Sequence, residues 1–411
     1  MRYQNRMLII FFVVLIMSFP VTGLCQGELT FKPKISTTAR MDDNFYKAEA
    51  IEREVTTSLI QPGFEFDYGT AKSLISLDYT LNAYYYSDEE TLLPGMRPAQ
   101  DEDYVGHTGT LEVKTQPSDR VTLGISDSYF YTRDPANSDV FSNSVDRHKY
   151  HINRLTPSLF YDFGEKFTAG FRYRHTHTKY SEEISEGSNE NRGIFDLVYN
   201  FNRTTSIDLE YQYWDRAYKK VTSDYRSSQV KLILRKQYKY FGLEAGGGYH
   251  ERGFDDPYLE NIDLITYRVG LRGQNPPSGQ GDIRSYITLA AESNFNDAGP
   301  GDSYFKATRY SMNAGHVFIN RLPLDVNASF QNSAYERRKE LTRAGTLELR
   351  DDDTYKLEGS LGYIVSDDLV HYLVIKVVAG YEDRSSNIAG RGYTNNYMMA
   401  KVDWKFSLGK R

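Results

Sequence analysis

Arg203 to Asp224, RTTSIDLEYQYWDRAYKKVTSD, is the unit on which the rest of the chain is patterned. Its apolar residues Ile207, Leu209, Tyr211 and Tyr213 fall at every second position, and Ser206, Asp208, Glu210 and Gln212 occupy the positions between them. A period of two makes one face apolar and the other polar, which is a β-strand and not a helix. The same alternation recurs from about residue 29 to residue 408 with no helical segment between.

The chain of 411 residues carries a formal net charge of −6 and is 40% hydrophobic. It counts 34 tyrosines and 22 phenylalanines, yet after residue 24 no apolar run is long enough for a membrane helix. At the amino end Arg2 and Arg6 precede an apolar core, Met7 to Met17, followed by Pro20 and small residues, the layout of a secretory signal. Leu24 before the single cysteine, Cys25, disfavours lipidation, so the spacing predicts a signal peptide over 1–25, cut after Cys25, and a single domain over 26–411. The exported chain would hold no thiol, and its stability has to come from the sheet.

About 18 strands of ~10 to 16 residues are expected, joined by connections that alternate in length. The short ones are Asp67 to Ala71, Gln116 to Asp119, Asp162 to Lys166, Asn200 to Thr204, Arg235 to Lys239, Asn275 to Gln280, Asn320 to Pro323 and Ser366 to Asp368. Between them lie longer ones, among them Met41 to Glu52, Ser87 to Asp103, Thr132 to Asp146 and Arg337 to Arg350. Such parity puts long connections on one rim and short ones on the other, as in a closed antiparallel transmembrane up-and-down β-barrel of about 18 strands. Phe167, Ala169, Phe171 and Tyr173 would face lipid, and tyrosines at strand ends would mark its boundaries. In hydrocarbon every backbone donor needs a partner, so the sheet must close. A soluble β-sandwich would need no loop parity.

The opposite faces carry both charges. Arg172, Arg174, Asp208, Glu210, Lys231, Arg235, Arg268, Arg272, Arg284 and Glu358 are candidate pore-lining residues, because a barrel this wide is not filled by side chains. Pairing across strands to hold the wall is the other use of the same charges. Tyr84, Tyr86, Phe130, Trp214 and Tyr372 fall on the polar phase, where flat sugar faces could stack on them, or where a bulge would shift them into a rim girdle.

No catalytic constellation emerges. There is no Gly-x-Ser-x-Gly elbow, no His-Glu-x-x-His and no phosphate loop, and Gly246 to Gly248 lies within a strand. His175 and His177 share a strand face without a third ligand nearby. The acids Asp88, Glu89, Glu90, Asp101, Glu102 and Asp103 crowd one long connection and read as a solvated run. Catalysis, metal, cofactor and nucleic-acid partners are not expected.

The opening stretch with Asp43-Asn44, a strand ending in Pro62-Gly63 and a Tyr-rich third strand, together with the ending GYTNNYMMAKVDWKFSLGKR, resembles the second family of putative β-barrel porins. That resemblance implies an outer-membrane barrel, some members being linked to exopolysaccharide export. Phe406 is followed by Ser407 to Arg411, whereas barrels usually finish on an aromatic residue. The combined expectation is a Gram-negative outer-membrane channel for a hydrophilic solute, with a secreted polysaccharide as cargo and a periplasmic export component as partner. Both termini would be periplasmic and the barrel would sit in outer-membrane lipid, its oligomeric state left open. A general diffusion porin and a surface structural or adhesin barrel without an open pore are the alternatives.

Overall fold

The computed structural model describes residues 27–133, 147–181, 186–220, 222–296, 304–342, 344–367 and 371–406. The expected leader, and Leu408 of the expected closing strand, lie outside the described residues. The strands are β1 (Glu28–Asp42), β2 (Val55–Gly69), β3 (Ser73–Asp88), β4 (Tyr104–Ser118), β5 (Val121–Thr132), β6 (Tyr150–Asp162), β7 (Phe167–Tyr180), β8 (Ser188–Asn202) and β9 (Thr205–Tyr218). They continue as β10 (Tyr225–Gln237), β11 (Phe241–Phe254), β12 (Ile262–Asn275), β13 (Ser285–Phe295), β14 (Phe305–Phe318), β15 (Leu322–Leu341), β16 (Leu347–Asp367), β17 (His371–Ser386) and β18 (Tyr393–Phe406). One turn of 3₁₀ helix, Ala99–Glu102, sits between β3 and β4. Among the described residues no helix is long and apolar enough to cross a membrane.

Each strand pairs antiparallel with its neighbours in sequence, and β1 pairs with β18 from Lys34↔Lys405 to Asp42↔Tyr397. The expected 18-stranded antiparallel barrel is therefore closed, and no edge is left unpaired. Strands about 4.8 Å apart and tilted by ~40° give a wall roughly 35 Å across between backbones. Side chains alone do not fill that width.

The alternation read from Arg203 to Asp224 sets which face goes where. Leu209, Tyr211 and Tyr213 are exposed on the outer wall of β9, and Asp208, Gln212 and Trp214 are buried on the inner side. Phe167, Phe171 and Tyr173 of β7 likewise face outward. Tight turns close the hairpins on the short rim: Ile319 and Asn320 both take left-handed φ, 53° and 57°, and Arg321 N–H donates to the Phe318 carbonyl at 3.0 Å. That is the backbone a primed two-residue turn demands, and Asn adopts it more readily than Ile.

Four sequence expectations need correction. Arg337 to Arg350 was expected as a long connection, but β15 runs to Leu341 and β16 starts at Leu347, so the pair extends as a hairpin beyond its neighbours. The polar alternation there is as regular as in a strand, and charge was mistaken for loop. Conversely β12 and β13 are separated by 276–284, longer than any other connection on that rim. Arg284, expected on the pore wall, lies in this connection just before β13, while Arg235, expected in a turn, is inside β10.

Candidate functional site: the lumen

The lumen divides into two halves by burial. Toward the short-connection rim, inward side chains meet solvent: the Arg268 side chain is 63% exposed and Arg235 41%; higher up, beside Glu382, Lys356 also reaches the open lumen, 54% exposed. Toward the long-connection rim, inward residues are buried around the whole circumference. Tyr86, Tyr150, Trp214, Tyr225, Phe305, Tyr335, Tyr393 and Asn395 form a packed collar there.

Charge holds the open half. Arg172 bridges Asp196 at 2.7 Å and Glu210 at 3.2 Å, and Lys231 stands 3.7 Å from Glu210. Arg235 reaches Asp208 at 2.9 Å and Glu244 at 3.1 Å, and Arg268 meets Glu244 at 2.9 Å. Glu358 accepts from the Tyr397 hydroxyl at 2.7 Å. Cross-strand neighbours on one face are close enough for such pairs, so wall-holding and pore-lining are served by the same residues.

The collar has a buried ionic centre. Glu190 of β8 accepts from Arg174 of β7 at 2.9 Å, Arg192 of its own strand at 3.0 Å and Arg216 of β9 at 2.7 Å, and its carboxylate is 1% exposed. Arg192 lies 4.0 Å over the Trp214 ring, and His250 packs against the same indole, ring centroids 4.9 Å apart. Arg252 is wholly buried beside Tyr225, Tyr304 and Phe295, its guanidinium 4.4 Å from the Tyr225 ring. Arg174, expected to line the pore, is a member of this packed centre.

Connections on the same rim fold against the collar. Asn44 Nδ2 donates to the Ala48 carbonyl at 2.7 Å and to the Thr394 carbonyl at 2.9 Å, pinning residues 43–54 to β18. Phe45 then packs on Tyr86, ring centroids 5.2 Å apart. Lys47, at a left-handed φ of 55°, reaches Glu382 at 2.8 Å. Burial pulls the Lys47 amine below its usual range, and the Glu382 carboxylate works against that shift. Burial, with the Glu102 carboxylate next, pushes the Tyr46 phenol up to about 12. The acid-rich connection is structural: Asp88 accepts from Arg53 Nε at 2.6 Å and from Ala99 N–H at 2.7 Å, and Asp103 accepts from Tyr86 N–H at 2.8 Å. Of the acids read as a solvated run, Asp88 and Asp103 are clips that hold the turn in place, while Glu89, Glu90 and Asp101 are exposed.

The candidate stacking aromatics all keep the inward phase, but most are covered. Tyr84 stacks on Tyr104 at 4.6 Å, Tyr86 is buried under Phe45, and Trp214 is buried against Arg192 and His250. Phe130 is half-buried, and Tyr372 is exposed at the short rim. His175 and His177 point outward, not into the lumen, and take Asn191 at 2.9 Å and Asn189 at 2.6 Å. Glu190, Arg192 and Arg216 were not anticipated. The inward phase of β8 does carry Glu190 and Arg192 two apart, but only the register with Arg174 and Arg216 makes a cluster of them.

A closed antiparallel wall with an apolar outer face and a charged, partly wet interior defines a porin-type outer-membrane barrel. The family model described as putative beta-barrel porin 2 matches residues 242–406, which are β11 to β18. Among solved structures, Pseudomonas aeruginosa OpdK with vanillate is 12% identical at a TM-score of 0.45, covering 93% of this chain and 99% of its own. Acinetobacter baumannii OccAB2 is 12% identical at a TM-score of 0.49, covering 93% of this chain and 98% of its own. No curated protein matches.

Proposed function

We propose that the protein is a channel for small hydrophilic solutes, its long connections at the cell surface and both termini in the periplasm. The leader over 1–25 would be removed on export. The observation that carries this reading is the exposure of Arg268, Lys356 and Arg235 inside a closed wall, because long charged side chains keep such exposure only against water. The collar narrows the outer half and favours small solutes over a polymer. A liposome-swelling assay tests it. Vesicles holding the refolded barrel should swell in isosmotic monosaccharide faster than protein-free vesicles and slow sharply with larger oligosaccharides. Swelling no faster than the protein-free control would refute it.

Export of a secreted polysaccharide, handed over by a periplasmic component, is the second reading. Tyr372 favours it, an exposed ring on the inward phase at the rim where a chain would enter. The collar would then have to open, and swelling would depend on that added component rather than on solute size.

A further inference from the structure

On the lumen wall formed by β9 to β12 the paired carboxylates lie back and the guanidiniums stand forward. Asp208 is 7% exposed and Glu244 25%, against 41% for Arg235 and 63% for Arg268. A solute in the lumen therefore meets cations first.

Arg268 and Arg272 share the inward phase of β12, with Val269 exposed on the opposite face. Four residues of strand separate their Cα atoms by about 13 Å. Between them stands Gly270, where an added Cβ would find nothing nearer than 3.8 Å, so the step between the two arginines is bare. In register Arg268 faces Gly246 on β11 and Arg272 faces Gly242, and the wall on that side is low again. Arg268 meets Glu244 at 2.9 Å, and on the β13 side it faces Glu292 in register. Arg272 is exposed and has no ion-pair partner among the described residues. Two forward guanidiniums on a low wall, one paired with Glu244 and one with no ion-pair partner among the described residues, have donor forks that match carboxylates.

We infer that Arg268 and Arg272, flanking Gly270, form a binding site for a solute carrying carboxylate groups, such as an acidic sugar oligomer. The inference rests on the channel reading, since the site is reached only through a wet lumen. Arg235, tied to both Asp208 and Glu244, orients the pair by occupying Glu244 and is not itself a contact.

The test is calorimetric titration of the refolded full barrel in detergent with tetragalacturonate, and with neutral maltotetraose for comparison. The acidic oligomer should bind, weaken as salt is raised, and weaken about tenfold or more in Arg268→Ser/Arg272→Ser. Maltotetraose should not bind measurably. If the double variant does not refold, Arg272→Ser alone serves, because its removal breaks no ion pair, and it should weaken binding severalfold. Absence of binding, equal binding of the neutral oligomer, or undiminished binding in the folded variant would overturn the site. Liposome swelling reports separately on the channel, so a barrel that swells vesicles but ignores tetragalacturonate keeps the first reading and loses this one.

Discussion

Replacing Glu190 by Gln should test whether the outer half of the lumen is dry. The carboxylate is 1% exposed and is the shared partner of Arg174, Arg192 and Arg216, whose side chains are 28%, 10% and 10% exposed. Removing one charge leaves three guanidiniums in a packed region, with Arg192 still pressed on Trp214. Breaking a buried pair in this way costs about 3 to 5 kcal/mol. Asp403→Asn is the matched control, since its partner Lys401 lies at 3.0 Å and the two side chains are 30% and 35% exposed in the wet half; such pairs are worth about 0 to 1 kcal/mol. Urea unfolding of the barrel refolded in lipid vesicles, followed by the fluorescence of Trp214, should move strongly for the first variant and little for the second. If Glu190→Gln fell within about 1 kcal/mol of the unaltered protein, water would be reaching the cluster and the packed collar would have to be abandoned.

On the outer wall, Phe171→Arg should cost ~2 to 4 kcal/mol and impair assembly, since it places a charge in the apolar band. Arg172→Ser next to it should assemble normally and shift ion selectivity toward cations, because Asp196 and Glu210 lose their shared partner; equal assembly of the two variants would mean the faces are misassigned. Gly248→Val should destabilise the barrel by about 1 to 3 kcal/mol in the same urea assay, because an added Cβ runs into the Val230 carbonyl and comes within 2.8 Å of Lys231 Cγ. The Tyr46 phenol, pushed up to about 12 from an ordinary 10.0, keeps its proton when folded at pH values where the unfolded chain has lost it. Its contribution is therefore complete below pH 10 and is lost as pH rises toward 12. The phenolate absorbance missing from Tyr46→Phe should accordingly appear near pH 12, and its appearance near pH 10 would show that residues 43–54 do not fold in.

The period-two pattern carried the fold, because in a barrel each side chain has only two directions and lipid makes the apolar one visible. Ile207 to Tyr213 placed β9 correctly, and eighteen strands with mostly alternating connections followed from the same reasoning. What local pattern could not show was depth along the lumen. Arg174 and Arg268 have the same phase and the same chemistry, yet one is packed on Glu190 and the other stands in water. That difference depends on register between strands far apart in sequence and on connections folded across the rim. Trp214 shows the same limit, since its phase was legible but the Arg192 and His250 that cover it were not. Asp88 and Asp103 looked like a charged loop because their partners, Arg53 and the Tyr86 backbone, lie on other elements.

The most direct test of the account is conductance of the refolded mature barrel in a planar bilayer. The wet, charged half of the lumen predicts a steady ionic current, with a reversal potential in a salt gradient that shows preference for anions and moves toward cations in Arg172→Ser. A correctly folded barrel that carries no current would contradict the channel and leave a wall whose charges serve only to hold its strands together.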